Sequence, residues 1–141
     1  MDSAELDKIF KKYGEMYNIS PELLKAQAMA ESNLDIHAVN PSGSKGVAQI
    51  MEPTFNEWAK KLDLHHANIF NPDDNIHVQA AYLSYLQDRV GGDWTKALAA
   101  YNYGLRHIQY LVTLVGDGDW MNHLPKETGE YVNKILKYLG I

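Results

Sequence analysis

Cysteine is absent from the 141 residues, which removes disulfides, thiol nucleophiles and thiolate-ligated zinc together. Positive charge is scarce as well: 13 Lys and Arg against 18 Asp and Glu give a formal charge of −5 and a pI near 5.6. Such a chain lacks the basic patch of a nucleic-acid binder and has no long-range attraction to an anionic polymer or lipid. Any binding to an acidic substrate has to come from short-range contacts. No apolar run approaches the length of a membrane span, so membrane insertion is not expected. Alternating strand patterns, internal repeats, linkers and low-complexity stretches are missing too. A chain of this length can bury a core without staples, so the expectation is one mainly α domain over residues 1–141.

The pattern that is present is helical. Leu6, Ile9, Phe10, Tyr13 and Tyr17 fall on one face of a first helix, with Asp2 and Glu5 spaced as a capping box. Ser20-Pro21 reads as an N-cap with proline at the first helical position of a second helix running through Leu24, Gln27, Ala28 and Glu31. Residues 33–46 are loop-like, with Asn40-Pro41-Ser42-Gly43 as the strongest turn. A third helix carries Phe55, Trp58, Ala59 and Leu62. A fourth, capped by Asp73 or Asp74, carries Ile76, Ala80, Leu83, Leu86 and Val90 and stops at Gly91-Gly92. Asp93 caps a helix from Trp94 to Tyr103 that ends at Gly104. Two more are marked by Leu105, Ile108, Val112 and Val115, and by Thr128, Tyr131, Val132, Ile135, Leu136 and Leu139.

Glu31 is the anomaly. It closes Ala26-Gln27-Ala28-Met29-Ala30, an uncharged stretch on a helix that otherwise reads as core. Partial desolvation raises a carboxyl pKa, and the negative pole of a helix C-terminus pushes the same way. Both favour a neutral acid able to protonate a leaving-group oxygen. The same residues also accommodate an ordinary surface glutamate at a helix end. Gly46-Val47-Ala48-Gln49-Ile50-Met51 suggests a close backbone approach at the glycine and, at Gln49, an amide suited to sugar acetamido or hydroxyl groups. Blandly read, it is a turn before a helix. In Ala99-Ala100-Tyr101-Asn102-Tyr103-Gly104, small residues permit close packing ahead of a tyrosine and asparagine at a helix end.

Together these blocks resemble a known family. Glu31-Ser32, then Asn40-Pro41-Ser42-Gly43-Ser44-Lys45-Gly46-Val47-Ala48-Gln49-Ile50-Met51-Glu52-Pro53-Thr54, and then Asn71-Pro72-Asp73-Asp74-Asn75-Ile76 are similar to the soluble lytic transglycosylase domain. So are Ala99 to Gly104 and the stretch from Leu124 to Val132, and the blocks keep the family's order over residues 20 to 138. The resemblance implies a lysozyme-like helical fold with a groove for a peptidoglycan glycan strand. It implies Glu31 as catalytic acid and base, and Asn40, Gln49, Met51, Tyr101, Asn102 and Tyr131 as substrate-binding residues, with Tyr101 holding or polarising the acid. Two departures stand out. Asn40 occupies a position where serine is common, and Val47-Ala48 replaces a leucine–methionine pair.

The resemblance further implies cleavage between N-acetylmuramic acid and N-acetylglucosamine by the sugar's own C6 hydroxyl, leaving a 1,6-anhydro end. An internal nucleophile needs no second carboxylate, whereas ordinary glycosidases use two, roughly 5–9.5 Å apart. Asp35, four residues after Glu31, is better placed to cap or meet solvent. No metal or organic cofactor is implied, and a monomer is expected. Two other readings stay open: a hydrolytic, goose-type-like lysozyme on the same fold, and a non-catalytic wall-binding or virion module. Met1 to Lys8 is charged and lacks the apolar stretch of an export signal, so the wall would be reached by another route, such as a phage particle, a holin or release from a longer chain. His65-His66 lacks a third metal ligand, and Gly116-Asp117-Gly118-Asp119 resembles part of a calcium loop without its spaced ligands. Trp58 and Trp94 read as core; Trp120 reads equally as core or as a sugar-stacking ring.

Overall fold

Four of the seven helices start where a side chain takes up one of the first free amides. The computed structural model describes residues 1–141 and contains seven α-helices and one 3-10 turn. Helix α1 (Ser3–Tyr17) begins at Asp2, whose carboxylate accepts from the Glu5 amide at 2.8 Å. Helix α2 (Pro21–Ser32) begins at Ser20, which accepts from the Leu23 amide at 3.4 Å, with Pro21 as its first residue. Then come α3 (Glu52–Lys61), α4 (Pro72–Arg89) and α5 (Trp94–Tyr103), the last capped by Asp93 on the Lys96 amide at 3.1 Å. Gly104 at φ 110° separates α5 from α6 (Leu105–Val115); the 3-10 turn Trp120–His123 and α7 (Lys126–Tyr138) complete the chain. The fold is mainly α, as expected. Its only β pairing is two isolated bridges, Val39 with Lys45 and Lys45 with Ile50. No helix is long and apolar enough to cross a membrane.

One cap differs from expectation. Asn71, not Asp73 or Asp74, starts α4: its Oδ1 accepts from the Asp73 amide and its carbonyl from the Asn75 amide, both at 2.9 Å. Pro72 at the first helical position sets the start two residues earlier than a cap at Asp73 would, and three earlier than one at Asp74. The aspartates act elsewhere. Asp73 accepts from the Tyr13 hydroxyl and lies 3.5 Å from Lys12 Nζ, and Asp74 accepts from the Asn68 amide at 2.9 Å.

The chain divides within α4 into two compact units, Met1–Tyr82 and Leu83–Ile141. In the first, α1 packs on α2 around Leu6, Phe10, Leu24, Ala28 and Ile76. A polar cluster joins α1 to α4: the Tyr17 hydroxyl lies 2.8 Å from His77 Nε2, and the Tyr13 ring stacks on His77 at 4.3 Å. Burial pushes the Tyr13 and Tyr17 hydroxyls above the usual tyrosine range, with the Asp73 carboxylate adding to the shift at Tyr13. Burial likewise holds His77 below the usual histidine value, since it disfavours the imidazolium. Trp58, expected in the core, is half-buried; Lys61 Nζ sits 4.6 Å from its ring centre and Tyr82 lies 5.8 Å away.

In the second unit α5 packs against α6 and α7, with Ala97, Leu98, Ala99 and Ala100 wholly buried alongside Ile108, Val132 and Ile135. Trp120 belongs to this core despite its polar neighbours in sequence, whereas Trp94 is half-buried. The Asp117 carboxylate takes Lys96, and Asp119 accepts from Asn122 and His123 at 2.8 and 2.9 Å, which makes the aspartate–glycine segment a bonded turn.

Candidate active site

Glu31 is the penultimate residue of α2 and is half-buried. The helix cannot continue past Ser32, because Asn33 and Leu34 both take the left-handed conformation, at φ 54° and 64°. Asn33 tolerates that geometry as a helix cap, but at a leucine it is strained. Ser32 then ties the helix end to the next motif. Its hydroxyl lies 2.6 Å from the Val47 carbonyl oxygen and 3.3 Å from that of Ala28. A hydroxyl has one proton, and the shorter contact takes it.

The loop that receives this bond is held from inside. Gln49 is nearly buried, and its backbone sits at φ 52°. A non-glycine residue there costs about 1–3 kcal/mol and persists only when its surroundings over-determine it. The Gln49 amide supplies that constraint. Nε2 donates to the Gly46 carbonyl at 2.9 Å and the Ala38 carbonyl at 3.1 Å, while Oε1 accepts from the Ser44 hydroxyl at 2.9 Å. The side chain expected to meet the glycan is thus engaged with its own loop.

From below, the loop rests on Asn75 of α4, which is fully buried. Asn75 Oδ1 accepts from the Ala48 amide at 2.9 Å, and Nδ2 donates to the carbonyls of Ile69 at 2.8 Å and Lys45 at 3.3 Å. The close approach expected at Gly46 is found here. At φ 84°, a β-carbon on Gly46 would lie 2.2 Å from Asn75 Nδ2 and 2.5 Å from the Ile69 carbonyl oxygen. Only glycine fits.

The remaining first-unit residues lie outward. Asn40 is exposed; its Oδ1 accepts from the Ser42 amide at 2.9 Å and its carbonyl from the Gly43 amide at 2.8 Å, which closes the expected turn. Met51 is exposed and precedes α3. Asp35 accepts from the His37 amide at 2.9 Å and is exposed, which is the local role expected for it. Glu52 pairs with Lys45 at 2.9 Å. No group of three or more His, Cys, Asp or Glu side chains is arranged to hold a metal, and His65 lies 3.2 Å from Asp63 with both exposed.

The second unit holds the other three residues. Tyr101 and Asn102 stand in the last turn of α5, Tyr101 half-buried and Asn102 exposed. Asn102 Oδ1 accepts from the buried Thr128 hydroxyl at 2.8 Å, which ties the end of α5 to the start of α7. Tyr131, one turn further along α7, is almost fully buried.

Sequence reading missed Ser32, Ser44 and Asn75 as organisers of this region. Asn75 left a trace: with Gln79, Leu83 and Leu86 it falls at helical spacing on the buried face of α4, so two amides interrupt an apolar stripe.

The Transglycosylase SLT domain family matches residues 8–119. Membrane-bound lytic murein transglycosylase F of Hahella chejuensis is 30% identical over 111 residues, which cover 74% of this chain and 21% of that protein. The soluble lytic murein transglycosylase of Salmonella typhimurium is 28% identical over 139 residues, 92% of this chain and 22% of that protein. An inactive glutamate-to-glutamine mutant of the lytic transglycosylase Slt from Pseudomonas aeruginosa superposes with a TM-score of 0.85 at 25% identity, covering 93% of this chain and 22% of that one. The chain therefore spans about a fifth of the length of these relatives. It belongs to the transglycosylase SLT domain family and has its lysozyme-like helical fold.

Proposed function

We propose that the chain is a peptidoglycan lytic transglycosylase, acting as one domain over residues 1–141 and as a monomer, with Glu31 as its only acid and base. The observation that carries this reading is the placement of Glu31: half-buried at the end of α2, beside a loop whose backbone is fixed by Ser32, Gln49 and Asn75. Neighbouring carboxylates have other roles, Asp35 in a turn, Glu52 with Lys45, Asp73 with Tyr13 and Asp74 with the Asn68 amide. A single carboxyl group suits an intramolecular reaction. An inactive form of the Pseudomonas relative carries a glutamate-to-glutamine exchange, which supports a glutamate as the acid in this fold.

In this mechanism the Glu31 carboxyl group protonates the oxygen between N-acetylmuramic acid and N-acetylglucosamine, and the bond from that oxygen to C1 breaks. The muramic acetamido group helps stabilise the positive centre. The Glu31 carboxylate then takes the proton from the C6 hydroxyl as O6 bonds to C1, so the acid is restored and a 1,6-anhydro ring closes. Effective molarity replaces a positioned water. By the family resemblance, Asn40, Met51, Tyr101, Asn102 and Tyr131 are assigned to glycan contact and Gln49 to the loop that meets the glycan. No cofactor takes part.

Digestion of purified peptidoglycan followed by mass spectrometry of the muropeptide ends tests the proposal. Anhydro ends, one water lighter than reducing ends, are expected. Reducing ends would reassign the chain as a hydrolase, and no new ends would leave it a wall-binding module. Glu31→Gln is expected to keep the fold and glycan binding and to lower kcat by about a thousandfold or more, since general acid catalysis is removed. Turnover retained by this variant would unseat Glu31.

A further inference from the structure

A chain of bonds runs from a buried amide on α4 to the acid on α2. Asn75 is wholly buried, and every polar atom of its side chain is bonded to backbone of the 45–48 loop or of Ile69. Gly46 is pressed onto it so closely that no side chain fits between them. The loop's next carbonyl, that of Val47, accepts the Ser32 hydroxyl, and Ser32 is bonded covalently to Glu31. Each hydrogen bond in the route is short and directional, and Val47, Ala48 and Asn75 are wholly buried, where such bonds hold geometry most firmly.

We propose that Asn75 is a positioning residue for Glu31, acting through the Ala48 amide, the Val47 carbonyl and the Ser32 hydroxyl. Asn75 sets the height of the loop on α4; the Val47 carbonyl sets where the Ser32 hydroxyl lies; Ser32 closes the last turn of α2, so the Glu31 carboxyl group keeps one direction and one degree of exposure. The strained backbone at Leu34 shows why the tie is needed: the chain leaves the helix immediately after Ser32 in a conformation that would otherwise relax. The inference rests on Glu31 being the acid.

The test compares Ser32→Ala, Ser32→Thr and Asn75→Ala with the unaltered chain, measuring kcat and KM for release of anhydro ends, the pH profile of kcat, and thermal unfolding. Ser32→Ala removes one hydroxyl from a half-buried position and is expected to fold. Its kcat should drop about tenfold or more at little-changed KM, as a misplaced catalytic group requires. The alkaline limb of its profile should move to lower pH, because a loosened Glu31 is better solvated and loses its proton more readily. Ser32→Thr keeps the hydroxyl and should stay within about threefold of the unaltered chain; a loss equal to that of Ser32→Ala would overturn the hydroxyl's role. Asn75→Ala should shift the profile in the same direction. If it does not fold, Ser32→Ala decides.

A merely structural part for these residues predicts lower melting temperatures with kcat per folded molecule and the pH profile unmoved, and that result overturns the proposal. Carbon-13 NMR titration of the Glu31 carboxyl group reads the same displacement without turnover, so the two failures separate. Activity in Glu31→Gln refutes the acid assignment, whereas an inert Glu31→Gln beside an unshifted Ser32→Ala titration refutes only the positioning role.

Discussion

The two units bury different kinds of atoms. Four of the five buried polar side chains, Gln27, Gln49, Asn75 and Gln79, belong to residues 1–82, and Thr128 alone to residues 83–141. The second unit is filled by Ala97 to Ala100, Ile108, Val132 and Ile135. Apolar packing is strong but non-directional and tolerates volume-conserving exchange. A buried amide destabilises unless bonded, so each one constrains the angles of its neighbours. The unit with the candidate acid is thus built for fixed geometry, and the other mainly for cohesion. The comparison makes predictions that differ by unit.

The largest effect is expected at Gly46. Gly46→Ala puts a methyl group into Asn75 and the Ile69 carbonyl at a left-handed φ, and should destabilise the chain by about 4 kcal/mol or prevent the loop from seating. Urea unfolding measures it, and a change below about 1 kcal/mol would mean that the loop yields and is not fixed as argued.

Next is the amide pair inside the first unit. Gln79 Nε2 donates to the Leu24 carbonyl at 3.0 Å and to Gln27 Oε1 at 2.9 Å, while Gln79 Oε1 is buried without a donor. Gln79→Leu removes a buried donor to the Gln27 oxygen and to the Leu24 carbonyl and should destabilise by about 2 kcal/mol. Gln27→Leu combined with Gln79→Leu should destabilise by less than the sum of the single changes, because each single change leaves a polar partner behind. Strict additivity in that cycle would show that the two amides are not coupled.

A smaller effect depends on pH and belongs to the same unit. His77 titrates below the usual histidine value chiefly through burial, with Lys12 lowering it further and Asp73 and Asp74 opposing. Its Nε2 lies 2.8 Å from the Tyr17 hydroxyl, and an imidazolium Nε2 can only donate across that contact, never accept. Above the unfolded histidine pKa its contribution to stability is complete. As pH falls through that value toward the lower folded one, the unfolded chain binds the proton first and stability declines. The fall in melting temperature from about pH 7 to about pH 5 should therefore be shallower in His77→Gln. An unchanged slope would exclude His77 as a source of acid sensitivity.

How far all this was legible depends on range. Asp2, Ser20-Pro21, Asp93 and Gly104 announced helix ends because capping is decided within four residues. The fourth cap was misread because Asn71, Asp73 and Asp74 are all good capping residues, and Pro72 selects among them. Trp120 was ambiguous for the opposite reason: its neighbours in sequence are polar, and only tertiary packing buries it. At the candidate site, motif order pointed to Glu31 and Gln49. The bonds from Ser32 to Val47 and from Asn75 to Ala48 span 15 and 27 residues and leave no periodic mark. The amide of Gln49 looked free for a sugar because nothing in sequence shows that Ala38, Gly46 and Ser44 already engage it.

The smallest effect has the opposite sign and tests the contrast at a second glycine. Gly129 lies inside α7, where a β-carbon would meet nothing within 4 Å and no left-handed backbone is required. Glycine there loses more conformational freedom on folding than alanine would and forms helix less readily. Gly129→Ala should therefore stabilise the chain by about 0.5–1 kcal/mol, read as a higher urea midpoint at unchanged slope. The same substitution that jams the loop at Gly46 thus strengthens a helix at Gly129, since one glycine answers to bonded neighbours and the other to none. Destabilisation at Gly129 would show that α7 has a close neighbour at that position, and the second unit would then be as tightly specified as the first.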